Sequence, residues 1–286
     1  PITRSVSDPC NEYPSAPVTC LWRVSPGRCP VARSAVRFPV DGHDMAFFMR
    51  ACTLLVQLVT LPLVIAEAVG VYRLYKRVFP FLMYKMSANY NLKMKEQKRE
   101  LFRSLARFGP PRGPLRVLEI GCGSGSNFEH YPAGCKITCT DPNPHFEQYL
   151  QKSMKLSEHL NYDRFVVAPA EDLRQVEDGS VDVVVCTLVL CTVQNPDKVL
   201  QEVKRILREG GAFFFMEHVV AEESSWTYFF QHVLQPFWYY FGDGCEMNRA
   251  TWQNVEQAGF SEVQLRHIQA PIFTLIKPHI MGYAVK

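Results

Sequence analysis

One stretch, residues 117–127 (VLEIGCGSGSN), constrains the fold of this chain more than any other. An aliphatic run carries a single acid, Glu119, near its end, and glycines follow at Gly121, Gly123 and Gly125. Glycine adopts backbone dihedral angles that are closed to other residues, and its missing side chain lets a ligand approach the main chain. The pattern therefore predicts a buried strand that ends in a glycine-rich turn beside a ligand.

A second aliphatic run, Lys136–Thr140, is stopped by Asp141 and Pro142. An acid about twenty residues past a glycine turn is placed to accept hydrogen bonds from ribose hydroxyls. The two features together predict a nucleoside-cofactor site, and they disfavour the alternative of a tight turn that binds nothing. A dinucleotide fingerprint needs Gly-x-Gly-x-x-Gly/Ala, whereas Ser126 stands at its third position here, so a bound pyrophosphate is not predicted.

Segments with strand and helix patterns alternate along the rest of the chain, which predicts an α/β fold with a doubly wound sheet. A nearly all-apolar strand over Ser180–Cys186 is typical of a parallel sheet covered on both faces. Asn195-Pro196 has the composition of a helix start, and Gly210-Gly211 is expected to end that helix. The other predicted helices are Asn91–Phe108, Pro144–Lys155 and Arg249–Ala258, and the other predicted strands are Arg164–Ala168, Ala212–Met216 and a final antiparallel pair, Val263–Ile268 with His279–Val285.

Residues 1–44 differ from the rest in composition. Pro, Ser, Arg and Cys recur there without apolar periodicity, which predicts a disordered extension. Met45 opens the first strongly apolar run, so we expect the native chain to start there; the alternative is a lumenal tail with Cys10, Cys20 and Cys29 in disulfides. Elsewhere the cysteines lack paired Cys-x-x-Cys spacing with histidines, which predicts free thiols in a reducing compartment and no zinc site.

The run Ala51–Ala66 carries no charge, and its extension over residues 45–71 is long enough for a tilted membrane span. Pro62 within the run also suits a monotopic hairpin. A basic and aromatic flank continues to Lys85, as is typical of the cytosolic side of a membrane interface. We therefore predict a membrane anchor with its flank over residues 45–85 and a globular domain over 86–286 in the cytosol. A cleaved signal peptide and a core helix are the alternatives.

Two later segments are candidates for an acceptor site at the carboxyl edge of the sheet. Glu217-His218 ends the predicted fifth strand, and His218 either takes a proton near neutral pH or shapes the pocket wall. The segment Trp226–Phe241 is dense in aromatic residues. We expect part of it in the core and the rest to form a lid over a lipophilic substrate or a second membrane contact.

The Glu-x-Gly-x-Gly-x-Gly pattern resembles motif I of class I S-adenosylmethionine-dependent methyltransferases. Leu207-Arg208-Glu209-Gly210-Gly211 resembles their Leu-Arg-Pro-Gly-Gly signature, with Glu209 in place of proline. More specifically, residues 45–286 resemble the methyltransferase-like seven family, small membrane-associated thiol S-methyltransferases of the endoplasmic reticulum and lipid droplets. The segments that carry this resemblance are Tyr90-Asn91, residues 98–102 (KRELF), Asn127-Phe128, Tyr131-Pro132, residues 141–144 (DPNP), 165–168 (FVVA), 183–191 (VVVCTLVLC), 216–219 (MEHV) and 282–286 (GYAVK).

The resemblance implies a Rossmann-like seven-stranded sheet with an N-terminal anchor helix and a methyltransferase domain over residues 86–286. It also implies S-adenosylmethionine as cofactor and a small or lipophilic thiol as acceptor. On this basis Glu119 faces the methionine amine through the turn, Asp141 the ribose and Asp172 the adenine amino group. Glu171 is then a solvated neighbour, and two helix-capping acids are the alternative. The implied cofactor-binding residues are Glu119, Gly121, Cys122, Gly123, Gly125, Asn127, Asp141, Pro142, Asn143, Glu171, Asp172, Leu173, Thr187 and Leu188, with His218 the catalytic candidate and no metal ligand assigned.

A thiol is partly ionised at neutral pH, so its methylation needs positioning more than a strong base. We accordingly interpret Cys122, Cys186 and Cys191 as pocket wall, not as covalent intermediates. Two other functions remain as alternatives: a methyltransferase acting on a lipid or quinone carbon or oxygen, and a non-catalytic membrane or lipid-droplet adaptor that keeps the fold. A net charge of +3 without a basic stripe does not favour nucleic-acid binding.

Overall fold

The computed structural model describes residues 42–286, with side chains from Met45 onward. Most of the predicted extension, and the cysteines of the alternative disulfides (Cys10, Cys20 and Cys29), lie outside the described residues. The described chain begins with a long apolar helix, α1 (Gly42–Ala68), in which Pro62 is accommodated without ending the helix. Gly70 then takes a positive φ of 79°, and the chain turns into α2 (Tyr72–Phe102).

Within residues 42–286 a seven-stranded sheet forms in the order β3-β2-β1-β4-β5-β7-β6. The first five strands pair in parallel, and β7 is antiparallel to both β5 and β6. The strands are β1 (Arg116–Ile120), β2 (Lys136–Asp141), β3 (Asn161–Val167), β4 (Val181–Thr187), β5 (Leu207–His218), β6 (Glu262–Gln269) and β7 (Pro278–Val285). The remaining helices are α3 (Glu147–Lys155), α4 (Pro196–Ile206), α5 (Trp226–Phe241) and α6 (Thr251–Gln257). Short 3₁₀ turns lie at Leu105–Phe108, Phe128–His130, Pro144–Phe146 and Thr274–Ile276.

The core lies on both faces of the sheet because successive side chains of a strand point to opposite faces. In β4, Val184 and Cys186 join one buried cluster with Phe213 and Phe215 of β5. The intervening Val183 and Val185 join a second cluster, which contains Phe214 of β5 and the end of α2. Burial on both faces accounts for the unbroken apolar run of β4, and the predicted α/β doubly wound fold is confirmed.

Several predicted helix boundaries are wrong. The helix predicted over Asn91–Phe108 is the second half of α2, which starts at Tyr72 and stops at Phe102. The basic and aromatic flank is helical because the chain from Tyr72 to Phe102 has no interrupting glycine, and Pro80 is tolerated. The boundary placed after Lys85 therefore falls within a continuous helix.

Gly210-Gly211 does not end α4 but lies within β5. Leu207 already pairs with Val181, and the pairing of β4 with β5 is irregular just beyond that pair. Gly210 takes a positive φ of 69° at this irregularity. A β-carbon on Gly211 would lie 2.9 Å from two backbone oxygens, so the pair permits a bulge in the strand where the sequence suggested a helix end.

Candidate functional site

The glycine turn after β1 requires glycine for steric reasons. Gly121 and Gly125 have φ angles of 59° and 78°, which disfavour any side chain. A β-carbon on Gly121 would lie 2.3 Å from Val189, and one on Gly125 would lie 2.5 Å from the Phe128 ring. A β-carbon on Gly123 would meet nothing closer than 3.6 Å, so the open side of the turn lies there.

Asp141 ends β2 beside this turn and is held by backbone amides. Its carboxylate accepts hydrogen bonds from the amide of Gly123 at 3.1 Å and from that of Asn143 at 2.9 Å. The side chain of Asn143 in turn accepts a hydrogen bond from the amide of His145, which shapes the start of the following 3₁₀ turn. Burial raises the pKa of Asp141 to about 6. The structure thus joins the predicted turn and the predicted acid in one site, together with Pro142 and Asn143.

Glu119 is also buried, one strand away. It accepts hydrogen bonds of 2.8 Å from the side-chain amide of Asn127 and from the Tyr131 hydroxyl. Burial raises the pKa of Glu119 to about 7 despite these donors. The amide nitrogen of Asn127 also lies 3.0 Å from the Thr187 hydroxyl oxygen at the end of β4. Its side-chain oxygen is buried without a partner among the described residues, so a polar acceptor remains available at this point.

Lys98 is a site residue that the sequence analysis missed. It is buried on α2, and its ammonium group donates to the Asn91 side chain at 2.7 Å and to the Ser126 carbonyl at 3.2 Å. Burial lowers the pKa of Lys98 to about 8, while the charge of Glu119 opposes this shift. Lys98 therefore holds the end of the glycine turn in place through the Ser126 carbonyl. Its position on the buried helical face, four residues after Met94, was the available signal.

Two acids, Glu171 and Asp172, lie at the third predicted acidic position. Glu171 is partly exposed, and its carboxylate accepts from the amide of Gln194, in the loop before α4, at 2.8 Å. Asp172 forms a two-point ion pair with the exposed Arg174. The contact of Asp172 with adenine remains a prediction. Leu173 is buried, and its amide donates to Glu202 at 2.8 Å.

The turn after β4 is fixed by Glu217 at the end of β5. One oxygen of this buried carboxylate accepts from the amides of Val189 and Leu190 at 3.0 and 3.1 Å. Its second oxygen is buried without a hydrogen-bond partner in the described chain. Leu188, in the same turn, has a positive φ of 58°. Such strain in a non-glycine residue persists only where its surroundings determine the backbone closely, as they do here.

His218, the predicted catalytic residue, faces protein sulfur. Its Nε2 lies 3.0 Å from Sγ of Cys245, and the thiol of Cys191 lies 3.7 Å from the same sulfur. The indole N–H of Trp238 donates to Cys245 at 3.2 Å. Hydrogen bonding from Cys191, with the charge of His218, lowers the pKa of Cys245. Burial alone would lower the pKa of His218, but the Cys245 thiolate outweighs it and raises that pKa.

The cluster of Cys191, His218 and Cys245 was not predicted. Cys245 follows α5 and lies 54 residues from Cys191, so no local spacing reports their proximity. Cys122, Cys186 and Cys191 are buried free thiols, and Cys186 lies 3.6 Å from the Glu217 carboxylate. Burial raises the pKa of Cys122 and Cys186, which opposes nucleophilic chemistry by either thiol.

Helices α1, α2 and α5 pack together beside this edge of the sheet. Tyr72 and Tyr75 of α2 donate to carbonyls at the end of α5 at 2.8 and 2.6 Å. Phe48 of α1 stacks on Phe229 of α5 at 5.7 Å between ring centroids. Phe79 of α2 meets Phe146 edge-on, beside the glycine turn after β1. The apolar helix is therefore joined to the site through α2 and α5.

Comparison with known proteins decides the family. A family model described as a methyltransferase domain matches residues 118–215. The human thiol S-methyltransferase TMT1A is 54% identical over 212 residues, which are 74% of this chain and 87% of that protein. The human thiol S-methyltransferase TMT1B is 52% identical over 235 residues, 82% of this chain and 96% of that protein. The chain belongs to this thiol S-methyltransferase family.

A solved structure agrees on the fold. An S-adenosylmethionine-dependent methyltransferase from Aquifex aeolicus superposes with a TM-score of 0.50 at 17% identity. The superposition covers 72% of this chain and 97% of that one. At this identity the likeness concerns the fold alone. Membership of the thiol S-methyltransferase family confirms that the chain is a methyltransferase and that its cofactor is S-adenosylmethionine.

The residues present fit that cofactor. S-Adenosylmethionine carries a sulfonium and an ammonium charge, and the edge of the sheet offers two buried carboxyl groups, Glu119 and Asp141. The unpartnered oxygen of Asn127 and the open side of Gly123 lie in the same turn. Buried carboxylates whose charge is incompletely compensated favour a cationic ligand. The assignment of individual residues to parts of the cofactor remains a prediction.

Proposed function

We propose that the protein transfers the methyl group of S-adenosylmethionine to a small or lipophilic thiol at the cytosolic surface of the endoplasmic reticulum and of lipid droplets. The observation that carries the choice of acceptor is the 52% identity, over 96% of its length, to a protein named as a thiol S-methyltransferase.

In this proposal Asp141 holds the ribose and Glu119 faces the methionine amine through the turn. When bound, S-adenosylmethionine would supply a methyl group activated by its sulfonium: the acceptor thiolate attacks the methyl carbon to form a thioether, and S-adenosylhomocysteine leaves. The thiol proton passes to solvent. The chain's contribution is to hold both partners in line and to exclude water. Such positioning can lower the activation free energy by about 7–11 kcal/mol.

The chain's own groups suit positioning better than general-base catalysis. His218 is buried, and its Nε2 faces Cys245, so this nitrogen is already engaged within the protein. The first step it could assist, removal of a thiol proton, is easy because a thiol near its ordinary pKa of about 8.5 is already partly ionised. We therefore assign His218 to the wall of the acceptor site, in contact with the Cys245 sulfur.

The membrane part of the proposal rests on α1. Among the described residues one helix, Met45–Ala68, has the length and apolar composition of a membrane-crossing segment, with a mean hydropathy of 1.9. It does not stand apart from the domain, because Phe48 near its start stacks on Phe229 and Glu67 near its end accepts from Tyr240 at 3.2 Å. Because α5 contacts α1 near both ends of α1, we infer that the two helices lie together on the membrane surface.

The orientation follows from charge. Four basic residues lie on α2 just past the apolar helix, Arg73, Lys76, Arg77 and Lys85. Basic flanks stay on the cytosolic side of a membrane, which is also where S-adenosylmethionine is made. Protease added to sealed microsomes should therefore cut the domain, and full protection of residues 91–286 without detergent would place it in the lumen instead.

A panel of acceptors tests the choice of reaction. Purified protein is incubated with methyl-labelled S-adenosylmethionine and alkyl thiols, hydrogen sulfide, lipids or quinones, and the label is followed into product. We expect label on the thiols. Label confined to lipids or quinones would establish a carbon or oxygen methyltransferase, and a folded, cofactor-bound protein that labels nothing would establish an adaptor.

A further inference from the structure

Three potential metal ligands meet at the end of the sheet. Cys191 follows β4, His218 ends β5 and Cys245 follows α5, and their ligand atoms all lie within 4.8 Å of one another. All three side chains are buried. Their types, two thiols and an imidazole, are soft to borderline ligands that favour zinc over magnesium or calcium.

The distances suit a tetrahedral ion. Two thiolates bound to zinc at about 2.3 Å lie about 3.8 Å apart in a tetrahedral site. The sulfur atoms of Cys191 and Cys245 are 3.7 Å apart. A zinc-bound imidazole nitrogen lies about 3.6 Å from a bound sulfur by the same geometry, whereas His218 Nε2 lies 3.0 Å from Cys245. A small outward movement of the ring opens the space between the three atoms.

The backbone around these residues is held rigidly. Cys191 and Cys245 are tied to each other by the amide of Glu246, which donates to the Cys191 carbonyl at 2.8 Å. Arg249 donates to the carbonyls of Leu190 and Val193 on either side of Cys191, at 2.6 and 2.7 Å. A preformed arrangement of this kind lowers the cost of binding an ion.

One further contact is of the kind that surrounds metal ligands. The indole N–H of Trp238 donates to the Cys245 sulfur at 3.2 Å, as outer donors do toward a bound thiolate.

We propose that Cys191, His218 and Cys245 bind one zinc ion, with a fourth coordination position open to the acceptor thiol. The described residues place three protein ligands there, and three ligands with one open position are typical of catalytic zinc.

The second half of this inference rests on the proposed function. A thiol that coordinates zinc loses its proton to solvent, so the ion presents a thiolate at neutral pH. The carbon–sulfur bond of the thioether then forms as the bond from the methyl group to the sulfonium breaks, and zinc is unchanged. Zinc binding itself does not depend on that transfer, so the two claims can fail separately.

Metal analysis of the full-length protein, purified in detergent with a reductant, tests the site. We expect one zinc per chain. Cys191→Ser, Cys245→Ser and His218→Ala should each lose it, whereas His218→Cys should retain it because a thiolate replaces the imidazole. Cys135→Ser and Cys52→Ser are the controls, since these cysteines lie outside the cluster, and both should keep the zinc.

Cobalt exchange keeps the test independent of the variants' folding. Wild-type protein in which Co²⁺ replaces zinc should show the thiolate-to-cobalt charge-transfer band and the strong visible bands of a tetrahedral ion. Adding an alkyl thiol should shift that band if the fourth position takes the acceptor. If the protein contains zinc but transfers no methyl group to thiols, the zinc site is supported and the proposed function is overturned.

Three results would overturn the site. These are reduced wild-type protein that contains no zinc and gives no cobalt–thiolate band, a disulfide between Cys191 and Cys245 in protein isolated without reductant, or full zinc content in the Cys245→Ser variant. A cobalt band unmoved by any thiol, together with methyl transfer, would overturn the role of the fourth position.

Discussion

Glu119 and Asp141 are buried carboxyl groups at the ends of neighbouring strands, and burial raises their pKa values to about 7 and about 6. The groups around them are few: Tyr131, Asn127 and Lys98 act on Glu119, while Asp141 meets two backbone amides and the charge of Asp243. Each acid binds a proton more readily in the folded chain than in the unfolded one. Their contribution to stability is therefore present at low pH and is lost as the pH rises through about 6 to 7.

Ionising these two buried carboxyl groups destabilises the folded chain. A cationic ligand bound beside them stabilises their ionised forms. We predict that affinity for S-adenosylmethionine rises with pH between about 5.5 and 7.5, by up to tenfold per pH unit for each acid that must ionise. The rise in melting temperature produced by the cofactor should be larger at pH 8 than at pH 6. Calorimetric titrations across this range, with Glu119→Gln to remove the upper part of the profile, measure it. A flat profile would show that neither carboxylate ionises on binding.

Among single residues, the sequence predicted those site residues that lie close to one another along the chain. Glu119, the glycines and Asp141 lie on one strand–turn–strand unit, and the structure joins them as expected. Lys98, Tyr131 and Cys245 were missed because their roles depend on contacts made across the fold. The Lys98 ammonium, for example, reaches a carbonyl 28 residues away, and no periodicity encodes that distance.

Among the elements, β1, β4 and β5 are tied together by one buried acid at their starting ends. Asp182 is fully buried and accepts from the backbone and guanidinium of Arg116 at 2.8 to 3.1 Å and from Arg208 at 2.6 Å. Its pKa is lowered, since these hydrogen bonds and charges outweigh the burial that would raise it. These ion pairs of Asp182 with Arg116 and Arg208, which we call the Asp182 clamp, hold together the three strands whose opposite ends carry the site.

Asp182→Ala should lower the free energy of unfolding by about 1.5–3 kcal/mol, because it removes the charged hydrogen bonds that the buried carboxylate accepts from Arg116 and Arg208. Chemical denaturation measures the loss. Asp178→Ala is the matched control, since that exposed acid pairs with Arg205 at the surface, and it should change stability by less than about 1 kcal/mol. Equal effects of the two substitutions would contradict the clamp.

Element types were predictable and element ends were not. The order of strands and helices follows from apolar periodicity and from glycine and proline positions, and the fold prediction is confirmed on that basis. The ends of α2 and β5 depend on tertiary contacts. Leu207-Arg208 reads as the end of a helix, but its pairing with β4 and the ion pair with Asp182 make it part of a strand.

For the molecule as a whole, we expect α1 and α5 to bind a membrane together, because Phe48 of α1 stacks on Phe229 of α5. Leu58 and Val59 on α1 and Phe237 and Phe241 on α5 are large apolar side chains exposed in the structure. Burying each such side chain is worth about 1.5–3 kcal/mol. The sequence suggested either a lid or a second membrane contact for α5, and the choice depends on its packing against α1.

We predict that Leu58→Asp with Val59→Asp weakens partition of the full chain into phospholipid vesicles at least about tenfold, and that Phe237→Ser with Phe241→Ser weakens it further. Flotation with vesicles measures both. Leu156→Ser, which removes an exposed apolar side chain just past α3, should leave partition unchanged. An unchanged partition after the α5 substitutions would restrict membrane contact to α1.

The most direct test of the central claim is a single-turnover transfer measured by mass spectrometry. Full-length protein in detergent is mixed with S-adenosylmethionine bearing a deuterated methyl group and an excess of an alkyl thiol. The wild type and Asp163→Ala, an acid of β3 outside the site, should yield deuterated thioether. Asp141→Ala, shown to be folded by circular dichroism, should yield almost none, because it removes the buried carboxylate that we propose accepts hydrogen bonds from the ribose hydroxyls. Equal yields from Asp141→Ala and the wild type, or no deuterated thioether from the wild type, would contradict the account.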